Sequence, residues 1–170
     1  MLLSTKEDQF LALLQKHTGI LYKICRIYLD DQQDQQDLFQ EIILQLWSAY
    51  HSFRGDSQFS SWMYRVALNT AIAFYKKEKQ RNRWLTSLSN KELSISASEN
   101  EDQKERLMIL YKAIQELNKV EKALIFLYME GLPGNEIAEC FGISPQNARV
   151  RVNRVKQKLQ QIIKYMGYEF

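Results

Sequence analysis

Apolar residues recur along most of the chain at intervals of three and four positions, the spacing of core-facing α-helices. No run alternates apolar and polar residues for long enough to predict a strand. The spacing predicts two helices before Asp31, with a break near Thr18 and Gly19, and then a longer helix that ends near Tyr50. Carboxylates between Asp31 and Asp37 suit the positive end of that helix's dipole. The pattern therefore predicts an all-α fold.

A loop and a fourth helix come next. Residues 51–60 contain Gly55 and three serines, which indicates a loop. The following helix runs to about Arg81 and finishes in a cluster of basic residues. One stripe of this helix contains Trp62, Val66, Asn69 and Ala73. We expect Trp62 to be a core residue rather than a stacking surface, and residues 1–83 to form one unit of four helices.

The middle of the chain differs from both ends in composition. Residues 84–104 are rich in serine, asparagine and glutamate and lack a sustained apolar period, which predicts a flexible linker. Two amphipathic helices follow, one around Ile114 and one around Leu124, and then a short terminal unit. We expect two small helical domains, residues 1–83 and 105–170, joined by this linker.

The strongest local signal lies between Gly131 and Lys164, where the pattern predicts a helix, a turn and a second helix. Gly142 supplies the left-handed residue of the turn. Ser144 caps the second helix, and Pro145 occupies its first position, where a missing N–H costs nothing. These features together indicate a helix-turn-helix.

The second helix of this motif separates apolar and basic residues onto two sides. Its core stripe is Ala148, Val152, Val155 and Leu159. Its basic side carries Arg149, Arg151, Arg154, Lys156 and Lys158. Amides in the first turn and guanidinium groups suit base edges, and cations such as Lys158 suit phosphates. The alternative is a solvated basic helix without a partner.

Charge is distributed in blocks, although the net charge is only +3. Residues 51–85 carry seven basic and two acidic groups, and residues 131–170 carry six basic and three acidic groups. Between them, residues 86–105 carry two basic and five acidic groups. The alternation indicates two surfaces for a polyanion, joined by a segment that does not bind it. Ordinary solvated faces remain the alternative explanation.

Composition and motifs argue against several classes of protein. No stretch approaches the roughly 18 apolar residues of a membrane span, and the N-terminus lacks the features of a signal peptide. We therefore expect a cytoplasmic protein without membrane insertion. Cys25 and Cys140 lie among apolar neighbours, and together with His17 and His51 they lack the close spacing of zinc ligands. Without a catalytic motif, no enzyme activity, cofactor or metal site is expected.

Residues 37–41 resemble the Asp-Leu-x-Gln-Glu segment by which sigma factors dock on the clamp of the largest RNA polymerase subunit. Three of these side chains share one helical turn and offer acceptors to a basic partner helix. The alternative is a solvated acidic helix start. The residues that this resemblance implies for polymerase binding are Asp37, Leu38, Gln40 and Glu41.

Residues 53–69 resemble the promoter-melting region of the extracytoplasmic-function group of bacterial sigma factors. The resemblance implies that the loop captures a base flipped from the non-template strand and that the helix contacts the −10 element. Phe59 and Tyr64 are candidate stacking surfaces, since a stacked base gains about 1–3 kcal/mol. The implied −10 residues are Arg54, Phe59, Ser61, Trp62, Arg65, Asn69, Lys76 and Lys77.

Some positions depart from the family pattern. Ala73 stands where the family often has aspartate, and Lys76 stands where arginine is common, so a different −10 preference is expected. Gln35 and Gln36 make the acidic helix start weaker than usual. The resemblance covers about residues 7–83 and 105–161 in the family's order.

The resemblance implies a sigma factor that recognises −10 and −35 elements and assists DNA melting. Its implied partners are core RNA polymerase, through the clamp and flap regions, promoter DNA, and an anti-sigma or other recruiting factor. The implied −35 residues are Ser144, Gln146, Asn147, Arg149, Arg151, Arg154 and Lys158. One alternative is a helix-turn-helix regulator that binds an operator without polymerase, which leaves the basic aromatic helix at 62–83 unexplained. The other alternative is a nucleic-acid enzyme, but the sequence lacks the carboxylate or metal-ligand clusters that such an enzyme needs.

Overall fold

A computed structural model describes residues 5–82 and 101–169, which form seven helices and no strand. The contacts divide the chain into two units, the first containing α1–α3 and the second α4–α7. The helices are α1 (Lys6–Tyr28), α2 (Gln32–Tyr50), α3 (Phe59–Asn82), α4 (Glu101–Gln115), α5 (Lys119–Met129), α6 (Gly134–Phe141) and α7 (Pro145–Tyr165). The expected all-α architecture of two helical domains is confirmed.

The first unit has three helices instead of the expected four, because α1 continues through Thr18 and Gly19 without a break. The Thr18 hydroxyl donates to the Leu14 carbonyl oxygen at 3.0 Å, so it bonds within the helix. Leu14 and Leu21 are both buried, so one core-facing stripe crosses the glycine. A glycine inside a helix costs about 1 kcal/mol, whereas burying one leucine gains about 1.5–3 kcal/mol. Packing therefore outweighs the local signal.

Helix α2 begins and ends close to the expected residues. Asp31 is its N-cap, and its carboxylate accepts from the backbone N–H groups of Gln33 and Asp34. The buried residues Leu38, Ile42 and Leu46 recur every four positions and face the rest of the unit. The helix therefore has one buried side and one solvent-facing side.

The core side of α3 is not the stripe that contains Trp62 and Ala73. Ala73 is exposed and Trp62 is half-buried. The buried residues of α3 are Phe59, Met63, Tyr64, Ala67, Leu68 and Ala71. Small residues on this side allow α3 to contact both α1 and α2. The opposite side of α3 is thereby left to solvent.

In the second unit, α4 begins at Glu101, so residues 101–104, expected at the end of the linker, are helical. The rest of the expected linker lies outside the described residues. Asn118 and Glu121 form a capping box at the start of α5, in which each side chain accepts from the other residue's backbone N–H. Lys122 is buried, and its ammonium donates to the Gln115 amide oxygen at 2.7 Å. Among the described helices, none has the length and apolar content to cross a membrane.

Candidate nucleic-acid interface

The turn between α6 and α7 has the geometry expected of a helix-turn-helix. Gly142 ends α6 with φ +62°, a left-handed conformation that a side chain would disfavour. The Ser144 hydroxyl accepts from the Asn147 backbone N–H at 3.2 Å, and Pro145 opens α7. Both predictions for this turn are confirmed, and the start of α7 is defined by local chemistry.

Helix α7 buries one stripe and exposes the opposite side. The core stripe of Ala148, Val152, Val155 and Leu159 is confirmed, and it continues to Ile163. The predicted DNA-binding residues of this helix are all exposed, namely Ser144, Gln146, Asn147, Arg149, Arg151, Arg154 and Lys158. A row of amides and guanidinium groups on one side of a helix that enters the major groove can read base edges.

Two of the arginines differ in their surroundings. Arg149 faces a groove of about 530 Å³ that Tyr128 and Asn153 also line. Arg151 donates from Nε to the Asn147 amide oxygen at 3.1 Å, one helical turn earlier. This bond holds the guanidinium of Arg151 close to the first turn of α7.

The structure gives Lys158 a partner within the protein. Its ammonium lies 2.8 Å from Oε2 of Glu121 at the start of α5. The same oxygen accepts from the Asn118 backbone N–H at 2.9 Å. The pair links α7 to α5, and because the ammonium has three donors and the lysine side chain is 46% exposed, a phosphate would contact it either beside Glu121 or in its place. Sequence reasoning missed this pair, because its members are 37 residues apart.

Lys156, also on the predicted basic side, contacts α5 as well. Its ammonium donates to the Tyr128 hydroxyl at 3.0 Å and lies 4.5 Å from the centre of the ring. Such a position over an aromatic face is favourable for a cation. The lysines at 156 and 158 thus join helices of the second unit, and the arginines supply the outward-facing charge.

Helix α3 carries a second exposed polar stripe. Arg65, Asn69 and Lys76 are exposed at steps of four and seven, and Lys77 is exposed beside them. Arg54 is exposed in the loop before this helix. Among the described residues, none of these cations pairs with a carboxylate, so the cations and one amide are left to contact a nucleic-acid backbone.

Phe59 and Tyr64, the expected stacking surfaces, are core residues with 9% and 5% of their surface exposed. The Phe59 ring lies 5.8 Å from Phe53 and 5.4 Å from Trp62, measured between ring centres. A base cannot stack on either buried ring without displacing part of the core. Ser61 and Trp62 are half-buried, so Trp62 keeps some exposed surface.

The rings around the loop form one connected set, which we call the aromatic cluster. Contacts between ring centres of 5.0 to 6.4 Å link its members. Its members are Phe10, His17, Trp47, Tyr50, His51, Phe53, Phe59 and Trp62. Because Phe53 belongs to the loop itself, the cluster anchors the loop to α1, α2 and α3.

The four residues implied for polymerase binding differ in exposure along the acidic side of α2. Asp37 and Gln40 are exposed and Glu41 is half-buried. Glu41 accepts from the Gln45 amide at 2.9 Å, and Asp37 accepts from Gln33 at 3.4 Å. Leu38 is fully buried in the core, so it cannot contact a partner.

Two exposed aliphatic residues were missed by the sequence reasoning. Leu44 is 62% exposed one helical turn after Gln40, and Val150 is 47% exposed among the polar residues of α7. The signal was present in the sequence, because Val150 is two residues from Ala148 and from Val152. That offset places it on the far side of the helix from the core stripe.

Models of known families match both units of the chain. Sigma-70 region 2 matches residues 13–81, and sigma-70 region 4 matches residues 107–159. Together these ranges cover most of the chain, in the order in which the two units occur. The chain is therefore of the sigma-70 type, a class of transcription initiation factors and not of catalysts.

Similar proteins define the group within that class. RNA polymerase sigma factor SigZ of Bacillus subtilis is 29% identical over 136 residues, covering 79% of this chain and 76% of SigZ. The ECF RNA polymerase sigma factor SigX of the same organism is 22% identical over 170 residues, covering 96% and 88%. The chain belongs to the extracytoplasmic-function group of bacterial sigma factors. It binds core RNA polymerase and directs promoter-specific transcription, so the plain operator-binding regulator is not favoured.

A solved structure shows the same fold. The sigma factor RpoE of Bartonella quintana, determined in complex with the anti-sigma factor NepR, has a TM-score of 0.73 and 20% identity. The match covers 92% of this chain and 97% of that chain. At this identity the likeness establishes the fold alone.

Proposed function

We propose that the acidic side of α2 docks this sigma factor on the polymerase clamp. The observation that carries the proposal is the exposure of Asp37 and Gln40 on one helical turn, with Glu41 beside them. The buried Leu38 holds this turn in place from below. Acidic groups fixed on a helix favour a basic partner surface by electrostatic complementarity. The flap region is the second expected polymerase contact, made by the second unit.

We further propose that the first unit engages the opened −10 strand, using the loop and the exposed stripe of α3. Arg54, Arg65, Asn69 and Lys76 supply contacts to the strand backbone and bases. Trp62, although expected to be a core residue, is only half-buried and is therefore the stacking candidate, and the buried Phe59 supports the loop instead of touching DNA. A single strand needs cations beside an aromatic surface, and this side of the unit offers both.

A promoter-opening assay tests this role. In reconstituted holoenzyme, Arg54→Ala is expected to leave closed-complex formation nearly unchanged and to slow opening, seen as lower permanganate reactivity of unpaired thymines. The matched control is Lys6→Ala, which removes one exposed cation from the start of α1. Opening at the native rate in the Arg54 variant would remove the loop from strand capture.

We propose that α7 binds the −35 duplex, with Gln146, Asn147, Arg149 and Arg154 reading base edges and Arg151 contacting a phosphate. The support is the clean separation of its buried stripe from its exposed amides and guanidinium groups. Run-off transcription with core polymerase on genomic fragments, followed by mapping of start sites, tests the whole assignment and yields the promoter. Absence of promoter-dependent transcripts would contradict it.

We also propose a protein partner that restrains this factor in the cytoplasm, where it would act. The support is the structural likeness to a sigma factor that was solved with its anti-sigma factor bound. Purification of the tagged chain from its host tests this proposal. Co-purification of a protein that competes with core polymerase is the expected result, and recovery with polymerase alone would contradict it.

A further inference from the structure

Val150 occupies the centre of the exposed side of α7. It is 47% exposed, whereas Ala148 and Val152, two residues before and after it, are 1% and 6% exposed. Its neighbours on the helix surface, three and four residues away, are Gln146, Asn147, Asn153 and Arg154, all polar and all exposed. The position that points most directly away from the core is therefore the one that cannot form a hydrogen bond.

An aliphatic side chain in the major groove has a narrow choice of partners. Opposite a guanine, cytosine or adenine edge, it would remove water from donors and acceptors without replacing the lost hydrogen bonds, which is unfavourable. The C5-methyl of thymine is the apolar group that the major groove offers. Contact between its methyl groups and the thymine C5-methyl is therefore the interaction that favours a valine on the exposed side of α7.

We propose that Val150 packs against the C5-methyl group of a thymine in the −35 element and so specifies an A·T pair there. The inference rests on the proposed role of α7 as the −35 reading helix, and it adds a base identity at one position. The flanking amides and Arg154 would read adjacent base pairs. Val150 would thus set specificity by shape and apolar contact, without a hydrogen bond.

A double-mutant cycle between protein and DNA tests the contact. Reconstituted holoenzyme is titrated with mapped promoter fragments in which each −35 thymine is replaced by uracil, which removes only the methyl group. At one position this change is expected to weaken closed-complex binding about fourfold, corresponding to about 0.8 kcal/mol for one buried methyl-sized group. The Val150→Ala variant should bind the thymine and uracil promoters equally.

Two features of the design separate the contact from structural effects. Alanine has a higher helix propensity than valine, so Val150→Ala does not weaken α7. Gln157→Ala, also on the exposed side and seven residues further on, is the matched control and should retain the native loss with uracil. Val150→Ile, which keeps the aliphatic surface, should retain it as well.

The outcomes distinguish this inference from the role of α7 itself. Tolerance of uracil at every −35 position by native holoenzyme, or the same uracil loss in the Val150→Ala variant, would overturn the methyl contact. Normal binding of all promoters by Arg149→Ala and Arg154→Ala would instead remove α7 from −35 recognition. Weaker promoter binding by the arginine variants, with no effect of uracil on native holoenzyme, would therefore reject the Val150 contact and leave the role of α7 intact.

Discussion

In the first unit, rings from three helices and one loop touch one another, whereas the buried side chains of the second unit are mostly aliphatic. The aromatic cluster links Phe10 of α1, Trp47 of α2 and Phe59 of α3 to Phe53 of the loop. In the second unit, Leu124, Ile137 and Val155 are typical of the core. Both units present a basic surface, but they support it differently.

The difference shows how each unit holds the residues that we propose to face DNA. In the second unit these residues lie on a regular helix, so one aliphatic stripe and one cap suffice to orient them. In the first unit some lie in an irregular loop, which has no repeating hydrogen bonds to hold it. Ring contacts take that role, because large flat side chains bury much surface and pack in defined geometries.

The largest effect that could break this comparison comes from Phe59→Ala. Removing a buried ring should destabilise the first unit by about 3–5 kcal/mol and release the loop. Near-UV circular dichroism and urea unfolding of the full chain would show this. Leu159→Ala, which removes a core residue of α7, should destabilise the second unit and leave the near-UV signal of the aromatic cluster intact. Native stability of the Phe59 variant would contradict the role of the aromatic cluster in holding the loop.

Charge reversal on α2 tests whether polymerase binding is separate from both basic surfaces. Asp37→Arg with Glu41→Arg should weaken binding to core polymerase by about 100-fold or more, because opposed charges become like charges. The matched control is Glu101→Arg with Glu105→Arg, which reverses two exposed carboxylates four residues apart on α4. Core affinity is measured by fluorescence titration. Equal affinities of both double variants would exclude clamp docking by α2.

Replacing the arginines of α7 tests whether the second unit recognises the base sequence or only the charge of DNA. Arg149→Ala and Arg154→Ala should each cost about 1–3 kcal/mol at the −35 element if the guanidinium binds a guanine edge. Competition between specific and scrambled duplexes measures this discrimination. Equal losses on both duplexes would mean that the helix holds DNA by charge alone.

The smallest expected effect distinguishes Arg151, a proposed DNA contact of α7, from Lys158, which pairs with Glu121 within the protein. Arg151→Ala should reduce the salt dependence of promoter binding by about one counterion, the signature of a lost phosphate contact. Lys158→Ala should leave that dependence unchanged and lower stability by about 0.2–1 kcal/mol, the range of exposed ion pairs. Binding at several salt concentrations, with thermal unfolding, compares the two. A lower salt dependence with Lys158→Ala, and an unchanged one with Arg151→Ala, would assign the phosphate contact to Lys158 instead.

The features that could be predicted from sequence are those set by neighbouring residues. Gly142 and Ser144 define their turn through bonds that span three or four positions, and the stripe of α7 follows from its period. Gly19 misled the prediction because the surrounding apolar residues, packed against other helices, outweigh one weak position. The Lys158–Glu121 pair joins residues that are 37 positions apart, so no local pattern announces it. Phe59 falls in step with the buried Met63, Ala67 and Ala71, but its contact with His17 of α1 could not be read from the local sequence.

The buried thiol of Cys25 allows the opening of the first unit to be measured without an added probe. Cys25 is 1% exposed, and burial raises the pKa of its thiol to about 12. Since the thiolate is the reactive form, the thiol is shielded from alkylation and oxidation both by lack of access and by protonation. Reagents would reach it through transient openings of α1 from its neighbours, so the rate of Cys25 labelling would measure how often the native unit opens.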